Sequence, residues 1–282
     1  MRRLSQVGLV VEGNSTGSSI LRLPTLPQDL GPLKSVTLRV ARRQSNILRA
    51  GYAVAEYEEL QAARLILVRV PDSSVSRVVQ ELCDSELVFK NLSFVLCETW
   101  LSAEVLEPLR NRGASIATLV CMPSVRHDWF VVEGQMAAGR QVRRFLERND
   151  VLTSELRPGS KHLLFAAQML ASALPIILFS TAQLALRAAG ISGKNLAVLM
   201  ETMAHKMLKD TLKGGSRANW AGALHDCSEE TAKSYLQMLR ITHPEIGEVL
   251  DDMLSTAHRR MLEPQLLKRP LRMTAEAFRI RE

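Results

Sequence analysis

The sequence predicts an α/β fold, a doubly wound parallel sheet followed by an all-helical C-terminal domain, on three observations. Short β-branched runs, apolar on both faces, recur through the first 130 residues; helical patterns separate them; and from Ser160 onward nearly everything reads as helix. Strands buried on both faces belong to parallel sheets covered by helices. Strand, helix, strand with short links is the pattern of double winding, here Rossmann-like.

The strands expected, in order, are Gln6–Val11, Ser35–Val40, Leu65–Val70, Leu92–Cys97 and Ser115–Val120. Between them Ser74–Leu82 and Ala103–Arg112 repeat apolar residues at helical spacing. Past Asp128, Trp129–Glu133 makes one more strand and Gly139–Arg148 a helix with a basic face. Helices stop at Gly190, at Gly214-Gly215 and near Pro244, and start at Ser192, Ser228 and Pro244. Pro158-Gly159 marks a hinge. The seam near it divides residues 1–155, a Rossmann-like dinucleotide-binding domain, from 156–282, a helical dimerisation and substrate domain.

Composition narrows the class. With 282 residues, 46% of them apolar and 5% aromatic, the chain fills one large domain or two ordinary ones, which excludes disorder, collagen and small disulfide scaffolds. Cys83, Cys97, Cys121 and Cys227 show no CxxC spacing and the histidines no HxxxH, so no metal site is expected. Reduced thiols, and an N-terminus that reaches a strand too soon for a signal peptide, point to the cytoplasm. Of the net charge of +7, residues 257–282 supply +4, seven Lys/Arg against three Asp/Glu. That tail has one Phe and no recognisable module, so nucleic acid is not an expected partner.

From Leu163 to Leu186 run 24 residues without a charge. At ~1.5 Å per residue such a helix could cross a ~30 Å hydrocarbon core. Gln168, Ser172, Ser180, Thr181 and Gln183, and the lack of flanking Lys/Arg asymmetry, favour burial in protein over a membrane span. Pro175 should kink the helix.

A phosphate-binding loop is expected directly after the first strand, at Gly13, Asn14, Ser15, Thr16 and Gly17. Glycines there let the backbone approach a pyrophosphate. The match is partial: the first glycine of the fingerprint is Val11, one extra residue separates Gly13 from Gly17, and Glu12 sets a carboxylate beside the expected phosphates. Like charges at ~4 Å cost about 1 kcal/mol in water. Pro24, Pro27 and Pro32 cut the following helix to a turn or two.

An NAD enzyme would place an acid at the end of strand two to hold the ribose hydroxyls. The sequence reads Val40-Ala41-Arg42-Arg43-Gln44 instead, so Arg42 and Arg43 are candidates for a 2′-phosphate, and the expected cofactor is NADP; two solvated loop arginines are the other reading. Val70-Pro71 closes strand three, under the nicotinamide side of such a cleft or as a plain strand end.

The segments RLILVRVPDSSVSRVVQEL, LSAEVLEPLRNRGASIATL, AAQMLASALPIILFSTAQLALRAAGIS and HPEIGEVLDDMLSTAHRRM resemble the bacterial Rossmann-like family that carries the domain of unknown function numbered 2520, within the 6-phosphogluconate dehydrogenase-like, NADP-oxidoreductase-like group. The resemblance covers about residues 5–262 and implies an NADP-linked reductase or dehydrogenase acting on a small carbonyl or imine. It also implies a homodimer in which the long apolar helix packs on the sheet domain and on a partner.

Three departures stand against activity. Leu96-Cys97-Glu98-Thr99 replaces a His, Thr, Ser, Gly run; Val120-Cys121 replaces a His-Pro pair; and Phe165 and Met169 stand where relatives carry a Lys and an Asn that serve the substrate oxygen. Lys161, one turn before Phe165 on the same helical face, is the candidate proton donor, or else a surface lysine. His225-Asp226-Cys227 and His127-Asp128 are contiguous, which counts against joint catalysis. Cys97 and Cys121, at strand ends, are reactive only if exposed. The expectation is an oxidoreductase by descent; the alternative is a catalytically silent homodimer acting as a ligand-binding, scaffold or sensor protein.

Overall fold

A computed structural model describes residues 7–13, 17–122, 128–214 and 228–262. Eight strands form one sheet in the order β3-β2-β1-β4-β5-β6-β7-β8. They are β1 (Val7–Val11), β2 (Leu30–Lys34), β3 (Tyr52–Ala53), β4 (Leu65–Arg69), β5 (Ser93–Cys97), β6 (Ser115–Met122), β7 (Trp129–Gly134) and β8 (Leu152–Glu155). Every neighbouring pair is parallel except β6 and β7. The winding reverses between β1 and β4, the place where open sheets of this kind bind ligands at their carboxyl edge.

The strands are apolar on both faces because both are covered. Leu9, Leu33 and Phe130 enter one apolar cluster, with Val142 and Phe145 of a helix at Met136–Glu147. Val10, Ile66 and Phe94 enter the opposite cluster, with Val78 and Leu82 of a helix at Val75–Asp84. Successive side chains of a strand alternate faces, so each strand feeds two cores.

Strand two departs from expectation. It runs over Leu30–Lys34, not Ser35–Val40, and Pro32 lies inside it. Proline lacks the N–H a ladder needs; the β1–β2 register slips between the pairs Val7–Leu30 and Leu9–Leu33, beside that residue. The first crossover is reduced to a 3₁₀ turn at Ile20–Arg22 and the four-residue helix α1 (Leu26–Asp29), as the prolines require. Residues expected as the second strand instead open α2 (Leu38–Leu48), whose N-cap Thr37 accepts the N–H of Val40. The remaining helices of this part are α3 (Val75–Asp84), α4 (Glu107–Asn111), α5 (Met136–Glu147) and α6 (Lys161–Gln168).

The chain divides into two compact units, residues 1–167 and 168–282. The second is helical: α7 (Leu174–Ala188), α8 (Gly193–Gly214), α9 (Glu229–Thr242) and α10 (Pro244–Leu262). A π-helical turn at Met169–Ala173 precedes α7, with Pro175 just inside it; such turns relieve the clash and missing donor a proline brings. Gly247 lets α10 approach α9, since a Cβ there would lie 3.1 Å from the Arg240 nitrogen, and Arg240 pairs with Asp251 at 2.6 Å.

Lys161–Ala188 is the one stretch of described helix long and apolar enough to cross a membrane by length and composition. The described residues leave it uncovered: Ile176 and Ile177 are 63% and 55% exposed.

Candidate functional site

The carboxyl edge around β1, β4 and β5 gathers the polar groups of the first unit. Gly13 leaves β1 at φ 74°, a left-handed conformation suited to glycine, and a Cβ there would sit 3.5 Å from Pro71 Cγ. Gly17 is open on all sides. Asn14, Ser15 and Thr16 lie outside the described residues. Ser35, at the end of β2, donates its hydroxyl to the carbonyl of Val11 at 2.6 Å and ties the two strand ends together.

Glu12 does not stand as a bare charge beside the loop. It is buried, and both its oxygens accept from Arg77 Nη2, at 2.7 and 2.6 Å. A guanidinium on a buried carboxylate neutralises it locally, and Glu12 together with Glu81 in turn drives the Arg77 pKa up.

Glu98, the first residue after β5, faces the same turn. Its Oε1 accepts the hydroxyl of Ser18 at 2.9 Å and the N–H of Ile20 at 3.1 Å, and its Oε2 accepts Arg69 Nε at 2.6 Å.

Arg42 and Arg43 are not at a strand end: both lie inside α2, exposed, beyond its first turn. The basic residues nearer the end of β2 are Lys34, which donates to the Ser35 carbonyl and lies 4.8 Å from the Tyr57 ring centre, and Arg39 in the first turn of α2. Val70 is buried and Pro71 exposed at the end of β4. Asp72, next in line, accepts the hydroxyl of Thr99 at 2.8 Å and so links the loops that follow β4 and β5.

Lys161 reaches the same region from α6. It is 3% exposed, and Nζ donates to the Leu101 carbonyl and to Thr118 Oγ1, each at 2.6 Å. Burial lowers its pKa to about 8, against the opposing pull of Glu133, Asp72 and Cys97. Two of its three protons are thus engaged. Glu133 pairs with Thr118 across the β6–β7 ladder, accepts the N–H of Gly159 at 2.9 Å, and leaves Oε2 without a hydrogen bond among the described residues.

Beside Lys161 opens a cavity of about 390 Å³, lined by Trp100, Ser102, Glu104, His162 and Phe165. Trp100 and Phe165 meet edge to face, ring centres 5.4 Å apart. Phe165 is therefore an aromatic wall of this cavity, one helical turn after Lys161.

Burial pushes the Cys97 thiol well up and the half-buried Cys121 up as well, so neither is activated. His127, His225 and Cys227 lie outside the described residues. No group of three metal-ligating side chains occurs among the described residues.

An open α/β sheet with its polar groups at the winding reversal defines a Rossmann-like class of protein, and solved structures agree. The chain is similar to an imine reductase from Myxococcus stipitatus in complex with NADP+, at TM-score 0.62 and 16% identity over 91% of this chain and 94% of that one. It is similar also to an imine reductase from Aspergillus terreus in complex with NADPH4 and dibenz[c,e]azepine, at TM-score 0.64 and 16% identity over 93% and 95% of the two chains. A reductive aminase from the same organism, in complex with NADPH and ethyl levulinate, matches at TM-score 0.61 and 14% identity over 92% and 94%. At these identities the likeness establishes the fold. No family model matches the sequence. No curated protein matches it.

Proposed function

We propose that the protein is an NADP-dependent oxidoreductase, a reductase or dehydrogenase for a small carbonyl or imine, with residues 1–155 holding the dinucleotide and 156–282 serving dimerisation and substrate binding. The observation that carries this reading is Lys161, a buried amine with its pKa near 8 at the rim of an aromatic-walled cavity on the carboxyl side of the sheet. An ammonium poised near neutral pH suits general acid work. Imine reductases and a reductive aminase of the same fold, solved with NADP+, NADPH or NADPH4, lend support.

The first turn fits a dinucleotide in two respects: Gly13 takes the backbone conformation a close approach needs, and Arg77 cancels the charge of Glu12. Gly13 to Gly17 would face the pyrophosphate, Val70 and Pro71 the nicotinamide side, and Arg39 and Lys34, with Arg42 and Arg43 further along α2, are the cations available to a 2′-phosphate. The dinucleotide, when bound, supplies hydride. Lys161, steadied by Leu101 and Thr118, holds the proton for the substrate atom, with Trp100 and Phe165 as the apolar wall beside it. The alternative, a silent homodimer with a ligand-binding, scaffold or sensor role, draws its support from Glu98 lying across the first turn.

A second copy of the chain is the proposed cover for the uncharged face of α7, and the cytoplasm the proposed compartment, in keeping with the free thiols of Cys83, Cys97 and Cys121 among the described residues. Fluorescence titration with NADPH and NADH tests the central claim. Saturable NADPH binding, tighter than NADH and weakened by Arg39→Ala, is expected; no binding of either by ~1 mM overturns it. Arg42→Ala and Arg43→Ala, tested alongside, locate the 2′-phosphate contact on α2.

A further inference from the structure

Three donors from two separate segments converge on one carboxylate at the carboxyl edge: the Ser18 hydroxyl and Ile20 N–H on Glu98 Oε1, and Arg69 Nε on Oε2, at 2.9, 3.1 and 2.6 Å. Ser18 is 1% exposed and lies 80 residues from Glu98, so the contact is built by the fold. Glu98 takes up this position with φ 57°, a left-handed backbone that a glutamate rarely adopts. A hydroxyl, an amide and a guanidinium aimed at two oxygens of one group are the partners a phosphate edge also takes.

We propose that Ser18, Ile20 and Arg69 form a phosphate seat whose resident occupant is Glu98, and that a phosphate-bearing ligand enters by displacing the Glu98 carboxylate. The ligand's identity, the pyrophosphate of NADPH, rests on the function proposed above; the seat does not. Binding to the chain as it stands carries the cost of breaking three charge-assisted or buried hydrogen bonds and of leaving a second anion beside the incoming one, so Glu98 sets the affinity. Its removal turns a weak site into a strong one.

Titration of the full chain and of Glu98→Gln with NADPH, and separately with inorganic pyrophosphate, tests this. Glu98→Gln keeps the shape and removes the charge. Glu98→Gly, which suits the left-handed backbone, removes the side chain altogether and guards against a folding failure of the first variant. Both variants are expected to bind both probes about tenfold tighter or more. Equal or weaker binding in the variants overturns the seat and leaves the dinucleotide reading standing where wild type still binds NADPH. Tighter pyrophosphate binding with no NADPH binding supports the seat and overturns that reading. No binding of either probe to any of the three proteins overturns both.

Discussion

Lys161 Nζ lies 2.6 Å from Thr118 Oγ1, so that an amine from the start of a helix is held against the middle of a sheet strand. A buried lysine costs free energy in its charged form, which the folded state relieves by losing the proton more readily than the unfolded chain does. Its folded pKa, about 8, is below the 10.5 of a free lysine.

Between those two values the unfolded chain binds more protons than the folded one, so stability rises with pH across the window from 8 to 10.5. The full gain is about 3 kcal/mol. Urea unfolding across pH 7 to 10.5 should reveal it, and Lys161→Met should flatten the profile; a slope unchanged in the variant would place the lysine in water.

Arg77→Met leaves the buried carboxylate of Glu12 without its two-oxygen partner. A loss of ~2 kcal/mol is expected, read as a lower urea midpoint at unchanged slope. Glu12→Gln, which removes the charge instead of orphaning it, should cost about half as much.

Two glycines predict opposite outcomes. A Cβ on Gly134, at φ 149°, would lie 2.5 Å from both Ala117 Cα and Ile116 O, all backbone that cannot yield. Gly134→Ala should therefore cost ~3 kcal/mol or more. Gly17 meets nothing within 4 Å, and Gly17→Ala should leave the thermal midpoint within the error of measurement.

Ile177→Arg, in the exposed apolar face of α7, should convert a dimer to a monomer by light scattering after gel filtration. Wild type that elutes as a monomer, or that partitions into phospholipid vesicles, would overturn the second copy as the cover of this face.

Much of the sheet is legible in the sequence because strands buried on both faces are written as unbroken apolar runs; β1, β4, β5 and β6 fall where Val, Leu and Ile cluster. Strand two is not legible. Pro32 argues locally against a strand, while Ser35–Val40 offers β-branched residues that in fact prepare a helix, with Thr37 as its cap. Burial of Leu30, Gly31, Pro32 and Leu33 between two neighbours overrides the local preference, and with it Arg42 and Arg43 move off the strand end. The site is less legible still. Glu12 reads as a charge beside phosphates until Arg77, 65 residues away, is brought to it. Glu98 reads as a missing family residue, and nothing near it in sequence announces Ser18. Lys161 is legible as a candidate from its place one helical turn before Phe165, but its burial against Leu101 and Thr118 is not.

Lys161 is pegged through two strand residues, Val132 and Glu133, ahead of it in the chain. After β8 the chain is fastened by Leu156 to Val132 and by Gly159 to Glu133, at 2.8 and 2.9 Å, and Lys161 follows directly. Between Leu156 and Lys161 the chain can span at most ~18 Å. That short tether works as a strut whose length, more than its composition, decides where the amine arrives. A single residue gained or lost there would leave every side chain at this edge intact and still draw the Lys161 amine away from Leu101 and Thr118.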